Sequence, residues 1–309
     1  MDSDSIQDPK HPRPTPDSPP PHLIADAAQY DADYIAMRVN YYNKMNRSFS
    51  AQDPTPFWRK KFKRRDYYVC DLFHLLAGMR NGRQARFDYL FGDIIAVPPR
   101  PAILKSRPIE GDNRHSILLK ICRLRHFRFI RDPIPYARKK DLAVWRGSIK
   151  TNPTRQRLVD QYRDHPRCDV AGTPSRKGAK YMFAKNDYME ISKQLGYKFI
   201  ISLEGVDVAT NLKWIMSSNS LCMAQRLKYE TWFMEGKLIP DFHYVLLAED
   251  LSDLGAKIDH YLAHPDDARA IIANANEWVA QFLDERREDY IGRRVLMKYF
   301  EQSGQPPSL

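Results

Sequence analysis

The chain has 309 residues, of which 43% are hydrophobic and 12% aromatic, and its formal net charge is +11 at pH 7. This length suffices for two domains with cores of their own, and the composition excludes a chain that is disordered throughout. No run of about 18 consecutive apolar residues occurs, so no membrane-spanning helix is predicted. The four cysteines lie too far apart in the sequence for a zinc cluster or a disulfide framework.

The N-terminal residues and the distribution of charge bear on location and partners. Residues 1–22 are rich in Pro, Asp and Ser and are predicted to form a disordered tail. They lack the basic-then-apolar pattern of a secretory signal, so we expect a cytoplasmic protein. Six Lys and Arg lie in residues 59–65, and residues 100–140 contain twelve Lys and Arg against three Asp and Glu. Such segments favour an anionic partner: a nucleic acid, an anionic membrane or a phosphorylated substrate.

Apolar spacing and turn residues predict the elements of the first half of the chain. The helix that starts at Pro153 has proline at the position where helices favour it. In chain order the predicted elements are a helix over 26–46, a strand followed by a turn of helix over 66–79, a strand over 87–98 that is broken at Gly92-Asp93 and then resumed, a short helix leading into a strand over 116–130, a strand over 141–148 and a helix over 153–164.

The second half alternates strands with helices, which is typical of a doubly wound α/β fold with a parallel sheet. We place the boundary between two domains near residue 165. The predicted strands cover 199–203, 221–224 and 244–247, and the predicted helices cover 210–218, 251–264, 265–284 and 289–300.

A first candidate site is Trp145-Arg146-Gly147-Ser148, which ends a predicted strand, with Arg155 in the helix that follows. Backbone amides at a Gly-Ser turn can approach an anion closely, and arginine binds two phosphate oxygens at once. The following helix directs its positive end to the same place. The segment therefore predicts a phosphate site, and the plainer alternative is an ordinary turn with surface arginines.

A second candidate site is the junction between a very apolar strand and the next helix, which carries Glu204, Gly205, Asp207, Asn211 and Lys213. Two carboxylates, an amide and an ammonium group offer the acceptors and donors that a sugar needs, and the lysine could also complement a diphosphate. The alternative is a helix N-terminus that these polar residues cap.

A third candidate is Glu230 and Glu235, two carboxylates separated by Trp232, Phe233 and Met234. Aromatic rings that stack on a base and a carboxylate that accepts ribose hydroxyls suit a nucleoside pocket. The alternative is that the three apolar residues belong to the core.

A fourth candidate is Asp93, which stands at the Gly-Asp break of a predicted strand. A carboxylate there could deprotonate an attacking hydroxyl group. Lys105, Arg107 and His126 follow in the basic part of the chain and are candidates for the acceptor side of a cleft. Each of these residues has a structural alternative, since an aspartate in a turn and a hydrogen-bonded histidine are common.

Several of these segments together resemble glycosyltransferase family 90. The family contains fungal capsule-associated xylosyltransferases, Rumi-type protein O-glucosyltransferases and bacterial enzymes of lipopolysaccharide core synthesis, and the chain looks most similar to the bacterial branch. The resemblance covers residues 85–285 and is most specific in residues 197–250. The residues that carry it are Trp145-Arg-Gly-Ser148, Lys198-Phe-Ile-Ile-Ser-Leu-Glu-Gly205, Asn211-Leu-Lys-Trp214, Glu230-Thr-Trp-Phe-Met-Glu-Gly236, Leu238-Ile-Pro240 and His243-Tyr244.

The resemblance implies an α/β fold of the GT-B type, in which two Rossmann-like domains face each other across a cleft. The donor would bind the second domain, and a last helix would cross back to the first. For this chain the implied parts are the tail (1–22), an N-terminal acceptor-binding domain (23–165), a C-terminal nucleotide-sugar-binding domain (166–285) and the crossing helix (286–309).

The resemblance also implies the chemistry. Family members use UDP-glucose or UDP-xylose, invert the anomeric centre and need no metal, and no Asp-x-Asp triplet of this chain follows a predicted strand. The leaving diphosphate must then be stabilised by cationic side chains and helix dipoles. Here Arg146, Ser148, Arg155 and Lys213 would do so.

Asp93 is the residue most similar in position to the family's general base, and Asn211 stands where eukaryotic members tend to carry arginine. We therefore predict an inverting, metal-independent glycosyltransferase, cytoplasmic or peripheral on the inner face of the membrane. Its expected partners are a UDP-sugar, a lipopolysaccharide-core or other surface glycan, and an anionic membrane surface, with no nucleic acid. Two alternatives stay open: a basic nucleic-acid-binding protein, and a degenerate transferase that acts as a scaffold.

Overall fold

The computed structural model of the protein describes residues 29–51, 55–62, 66–173 and 188–305. The predicted disordered tail and residues 63–65 of the first basic segment lie outside these residues. None of the helices described is long and apolar enough to cross a bilayer.

Both α-helices and β-strands occur along the described residues. The α-helices are α1 (Ala32–Tyr42), α2 (Tyr67–Ala77), α3 (Arg123–His126), α4 (Pro153–Tyr162), α5 (Ile191–Gln194), α6 (Leu212–Met216), α7 (Leu254–Ala263), α8 (Pro265–Ala280) and α9 (Glu285–Gln302). The strands are β1 (Tyr89–Leu90), β2 (Ala102–Leu104), β3 (Ser106–Pro108), β4 (Ser116–Leu118), β5 (Lys140–Gly147), β6 (Cys168–Gly172), β7 (Tyr197–Ser202), β8 (Leu221–Ala224), β9 (Tyr229–Thr231) and β10 (Val245–Leu246).

Five parallel strands form the larger sheet, in the order β10-β8-β7-β5-β6. The chain leaves β5, passes through α4 to β6 on one side, and later enters β7 on the other side of β5. The strand order therefore reverses between β5 and β7. In open parallel sheets, ligands bind in the crevice outside the carboxyl ends of the strands at such a reversal.

Alternate residues of the central strands face two separate apolar cores, as expected for a parallel sheet covered on both faces. Ala143 and Phe199 belong to the core that also contains residues of α4 and α7. Their neighbours Val144 and Ile200 belong to the other core, which continues into α1, α2, β2, β4 and α9.

A second parallel sheet, with the order β1-β2-β4, lies in the first half of the chain. Next to β2 in sequence, β3 pairs antiparallel with β9, and this pairing places Arg107 opposite Glu230. The first half of the chain is therefore hydrogen-bonded to a segment that follows the larger sheet's β8.

The last helix, α9, packs against α1 and α2. Arg38 Nη2 and Glu288 Oε2 lie 2.8 Å apart, and neither side chain is exposed. Tyr42 of α1 stacks on Trp232 with ring centroids 3.7 Å apart. Asn43 Nδ2 donates to the carbonyl oxygen of Val295 at 3.4 Å.

Every element predicted from residue 153 onward is present, most of them with shifted ends. The helix predicted over 153–164 starts at Pro153, and the strand predicted over 199–203 spans Tyr197–Ser202. The strands β6 and β9 and the short helix α5 were not predicted. The boundary near residue 165 falls between β5 and β6, which are neighbours in one sheet, and the division into domains stays a prediction.

Three predictions for the first half are wrong. Residues 66–79 form no strand: Asp66 Oδ1 accepts from the Tyr68 amide at 3.0 Å, and a helix starts at once. Residues 116–130 run from strand to helix, in the reverse of the predicted order. After β1 the chain turns at Gly92, where φ is +109°, and no second strand segment follows before residue 98. α2 packs against α9, and β4 pairs with β2, contacts that the local pattern does not contain.

Candidate active site

The carboxyl ends of β5 and β7, where the strand order reverses, open into a cavity of about 550 Å³. Two predicted donor-binding residues, Arg146 at the end of β5 and Asn211 before α6, line it. The other lining residues include Arg128, Tyr188, Thr210 and Trp214. The larger sheet thus brings together side chains that are 65 residues apart in the sequence, at the edge where ligands bind in this class of sheet.

Arg146 is held at the cavity by Asp169 of β6. Its Nη1 donates to the Asp169 carbonyl oxygen at 2.6 Å and its Nη2 to Asp169 Oδ1 at 2.5 Å. Burial raises the pKa of Asp169, but hydrogen bonds from Tyr197 and Arg146 outweigh it and hold that pKa below its usual value. The Arg146 side chain is only 9% exposed, and its Nε has no hydrogen-bond partner among the described residues. A buried donor without a partner is costly, so Arg146 Nε suits an acceptor oxygen of a ligand.

Gly147 and Asn211 fix the backbone on the two sides of the crevice. A Cβ on Gly147 would lie 2.6 Å from Cζ2 of Trp145, so only glycine fits there. Asn211 Nδ2 donates to the Ile201 carbonyl oxygen at 3.1 Å, and its Oδ1 accepts from Ser202 Oγ at 3.0 Å. The amide therefore ties the start of α6 to the end of β7.

Arg155 joins the ends of β5 and β7. Its guanidinium donates to the carbonyl oxygens of Leu203 at 2.6 Å, Glu204 at 3.0 Å and Ser148 at 3.2 Å. A Cβ on Gly205 would lie 3.2 Å from Arg155 Nη2, so glycine leaves room for this contact. Burial and then the charge of Arg125 lower the pKa of Arg155. Arg155 orients the loops at the crevice with most of its donors already used.

Glu204 is a carboxylate just after β7, and its pKa is raised toward neutral pH. Its Oε1 accepts from the amides of Lys228 at 3.0 Å and Tyr229 at 3.1 Å. Burial raises its pKa to about 7, and these two hydrogen bonds only partly oppose the rise. Glu204 therefore changes its protonation state in the neutral range.

Lys105 connects the predicted base to the strand–helix junction. Its Nζ lies 2.8 Å from Asp93 Oδ1 and 2.7 Å from Asp207 Oδ2. The lysine side chain has no exposed surface, Asp207 is 4% exposed and Asp93 is 31% exposed. Ser106 Oγ donates to Asp207 Oδ2 at 2.6 Å. Among these three charged residues, only Asp93 presents a substantial surface to solvent.

His126 and Arg125 complete the surroundings of Asp93. His126 is fully buried, with Nε2 3.4 Å from Lys105 Nζ and with Nδ1 lacking a partner among the described residues. Burial, followed by the nearby charges of Lys105, Lys213 and Arg125, lowers the pKa of His126 far below its usual value, so the ring stays neutral. Arg125 is 56% exposed, and its Nη1 lies 3.9 Å from Asp93 Oδ1.

The other charged residues singled out from the sequence form enclosed ion pairs. Arg107 Nε lies 2.8 Å from Glu230 Oε1, and Lys213 Nζ lies 2.5 Å from Glu235 Oε1. Glu235 Oε2 also accepts from the Thr231 amide at 2.6 Å. All four charged side chains are at most 1% exposed and are paired inside the protein. Their roles toward a ligand stay predictions.

Sequence reasoning missed Ser106, Arg125 and Asp169 as members of the site. Ser106 lies between two residues that were singled out, so its place in the cluster had a local signal. Asp169 had none, because the strand that carries it was not predicted. Within the described part of the chain, no group of three or more His, Cys, Asp or Glu residues could hold a metal ion.

Comparison with known proteins identifies the family of the chain. The model for "Glycosyl transferase family 90" matches residues 124–301. The chain is 40% identical over 270 residues to "O-glucosyltransferase LpsA" of Dichelobacter nodosus, covering 86% of this chain and 82% of the relative. A solved glycosyltransferase from Rickettsia africae ESF-5 matches 90% of this chain at 12% identity with a TM-score of 0.30. This chain spans 54% of that solved chain, and so weak a likeness carries no argument. The match to the family model and the extent of identity to the relative establish that the chain belongs to glycosyltransferase family 90, a family of sugar-transferring enzymes.

Proposed function

We propose that the protein transfers glucose or xylose from a UDP-sugar to a hydroxyl group of a glycan acceptor, with inversion at the anomeric carbon. Family membership establishes the class of reaction, and the relative's description as an O-glucosyltransferase favours a glucosyl group and an oxygen acceptor. The observation that carries the proposal is that Lys105 bridges a partly exposed carboxylate, Asp93, to the junction that follows β7.

The cavity at the ends of β5 and β7 supports a nucleotide-sugar donor. Its volume lies within the range of small-molecule sites, about 300–1,000 Å³. Arg146 contributes a buried donor that has no partner in the described part of the chain, and Asn211 contributes a polar side chain already fixed by two hydrogen bonds. Asn152 Oδ1 accepts from the Thr154 amide and caps α4, and Asn152 Nδ2 donates to the Gly205 carbonyl oxygen at 3.3 Å, so the positive end of α4 lies beside the loop that follows β7.

In the proposed reaction, Asp93 accepts the proton of the acceptor hydroxyl group. The acceptor oxygen forms a bond to the anomeric carbon while the bond from that carbon to the β-phosphate oxygen breaks and UDP leaves. Arg146 and the helix dipole of α4 stabilise the negative charge on the diphosphate, and Arg155 holds the two loops that frame it. Lys213 contributes at most a long-range electrostatic attraction to the diphosphate, because its ammonium group is already paired with Glu235.

We further propose that the reaction needs no metal ion. One Asp-x-Asp triplet of the described residues, Asp31 to Asp33, is used for helix capping, since Asp31 Oδ1 accepts from the amide of Asp33 at 2.8 Å. Transfer should therefore continue in the presence of a chelator. Loss of activity on chelation, with recovery on addition of a divalent ion, would contradict this part of the proposal.

A GT-B arrangement, with a first domain that binds the acceptor and a second that binds the donor, belongs to the same proposal. Two separate parallel sheets and the packing of α9 on α1 and α2 are compatible with it. We also propose a cytoplasmic protein that contacts an anionic membrane surface, where a lipopolysaccharide-core or similar glycan is presented. Exposed apolar side chains support such a surface: Leu90 and Ile95 lie close to Asp93 in the sequence, and Leu124 precedes Arg125.

The membrane proposal is tested by sedimentation with vesicles of neutral or anionic lipid. A variant with the six Lys and Arg of residues 59–65 replaced by Gln should bind anionic vesicles less, and the binding of the wild type should fall steeply with salt. Unchanged sedimentation would refute the proposal. The same salt series with a polynucleotide tests the alternative of a nucleic-acid-binding protein.

The catalytic proposal is tested with Asp93→Asn. We expect transfer to be lost by roughly 100-fold or more, with the affinity for UDP retained. Asp112→Asn is the matched control, because Asp112 lies in the same half of the chain, is 58% exposed and pairs with Arg114, two residues away. Near-normal turnover of Asp93→Asn would remove Asp93 from the mechanism.

The donor and the stereochemistry need two further measurements. A thermal-shift panel of nucleotide sugars should show stabilisation by one UDP-sugar, because a ligand that binds only the folded protein raises its melting temperature. The anomeric configuration of the product, read by NMR, tests inversion. Stabilisation by a nucleotide sugar with another base would contradict the UDP assignment, and stabilisation without turnover or hydrolysis would favour the scaffold alternative.

A further inference from the structure

We propose that Lys105 is a positioning residue that fixes Asp93 relative to the donor pocket, because its one buried positive charge is shared between Asp93 and Asp207. This inference rests on the proposed function, in which Asp93 accepts the proton of the acceptor. It assigns to Lys105 a different task from the acceptor contact expected from the sequence. The lysine has no exposed surface with which to contact an acceptor.

The geometry joins three parts of the chain at one ammonium group. Lys105 lies in the single-residue link between β2 and β3, Asp93 follows β1, and Asp207 follows β7. Nζ lies 2.8 Å from one carboxylate and 2.7 Å from the other. The two carboxylate oxygens are therefore at most 5.5 Å apart, the sum of these distances. The bridge runs from the sheet of the first half of the chain to the crevice of the larger sheet.

The arrangement would be unfavourable without the lysine. Two carboxylates at this separation repel each other, and one of them binds a proton more readily as a result. Removal of one partner from a buried ion pair also leaves an uncompensated charge. With the lysine in place, one oxygen of Asp93 is held next to a positive charge, while the exposed part of the carboxylate stays available to a hydroxyl group.

Among the described residues near Asp93, no other group offers a buried and unpaired positive charge. Tyr68 of α2 faces Asp93, but burial raises the pKa of its phenol, which stays neutral. His126 faces Lys105 but stays neutral, because burial and the surrounding cations lower its pKa. Lys213, which also acts on His126, is already paired with Glu235. Arg125 faces Asp93 from α3 at 3.9 Å, but it is 56% exposed, so water screens its effect. Ser106 hydrogen-bonds Asp207 and carries no charge.

The test compares Lys105→Met with Lys105→Met/Asp207→Asn. In the single variant the two carboxylates face each other without a cation, so the acid limb of the pH profile of kcat/KM should move up by about 1–2 pH units. The value of kcat should fall on the order of 100-fold, because the base is misplaced. In the double variant the repulsion is gone, so the acid limb should return toward that of the wild type and part of kcat should recover. If Lys105 has only a structural role, the second substitution should restore neither the acid limb nor kcat.

Lys120→Met is the matched control. Lys120 is another buried lysine of the same segment, 5% exposed, and it pairs with Glu285 at 3.0 Å, away from Asp93. It should leave the pH profile unchanged. If Lys105→Met does not fold, as judged by circular dichroism, Asp207→Asn alone serves the same purpose. Lys105 then pairs with Asp93 only, and the acid limb should move to lower pH.

The outcomes separate this inference from the proposed function. An unchanged acid limb in Lys105→Met, or in Asp207→Asn, with Asp93→Asn inactive overturns the positioning role alone. A double variant that is no better than the single variant does the same. An active Asp93→Asn overturns the proposed base, and the positioning role fails with it.

Discussion

Replacement of Glu204 by glutamine should make the stability of the protein less dependent on pH. The ordinary pKa of 4.5 of this carboxyl is raised to about 7 in the folded protein, because burial disfavours the charge. A raised pKa means that the folded state binds the proton more tightly than the unfolded state. Protonation therefore stabilises the fold fully below pH 4.5, and this stabilisation is lost as the pH rises through about 7.

The size of the effect follows from the shift. A difference of about 2.5 pKa units corresponds to about 3 kcal/mol, of which about 2 kcal/mol is lost between about pH 5.5 and about pH 8.5. Glutamine stays neutral at both values, and its Oε1 can accept the same amide hydrogen bonds from Lys228 and Tyr229. Relative to the wild type, Glu204→Gln should thus gain about 2 kcal/mol in free energy of unfolding over this range.

Urea unfolding of both proteins at the two pH values measures this difference. The control is Glu249→Gln, which removes a carboxylate that is 64% exposed and should leave the pH dependence as it is in the wild type. Other titrating groups cancel, because each variant is compared with the wild type at the same pH. A difference for Glu204→Gln that stays constant to within about 0.5 kcal/mol would show that Glu204 is solvated and ionised throughout, and it would refute the reasoning.

Three other predictions concern buried charge and close packing. Lys213→Met should lower the free energy of unfolding by about 3–5 kcal/mol, because it leaves Glu235 buried and unpaired, and adding Glu235→Leu should restore most of the loss in urea unfolding. Arg38→Met, which removes the cation of the buried pair with α9, should cost a similar amount, and hydrogen exchange should show the loss mainly in α1 and α9. Gly147→Ala should destabilise by about 1–3 kcal/mol and weaken UDP binding by calorimetry, because its Cβ would overlap the Trp145 ring. Full stability of any of these variants would contradict the contact that it tests.

The sequence by itself determined which polar residues follow the ends of parallel strands. Gly147 and Glu204 each end an apolar run that reads as a parallel strand, and polar residues follow both runs. Because the carboxyl ends of parallel strands lie at one edge of a sheet, the two segments had to meet there. The family resemblance rests on the same residues, and the match to residues 124–301 confirms it.

The tertiary structure decided which charges meet. Nothing local indicates that Lys213 pairs with Glu235, or that Lys105 stands between Asp93 and Asp207, which follow strands of different sheets. Lysine and carboxylate side chains are common throughout the chain, and only the folded backbone selects one pair among many. The same holds for residues 66–79, whose apolar and aromatic run fits a strand or a helix until contact with α9 selects the helix. Local sequence thus sets which polar groups stand at strand ends, while long-range packing sets whether each faces a ligand or is neutralised inside the protein, because burial and pairing depend on neighbours distant in sequence.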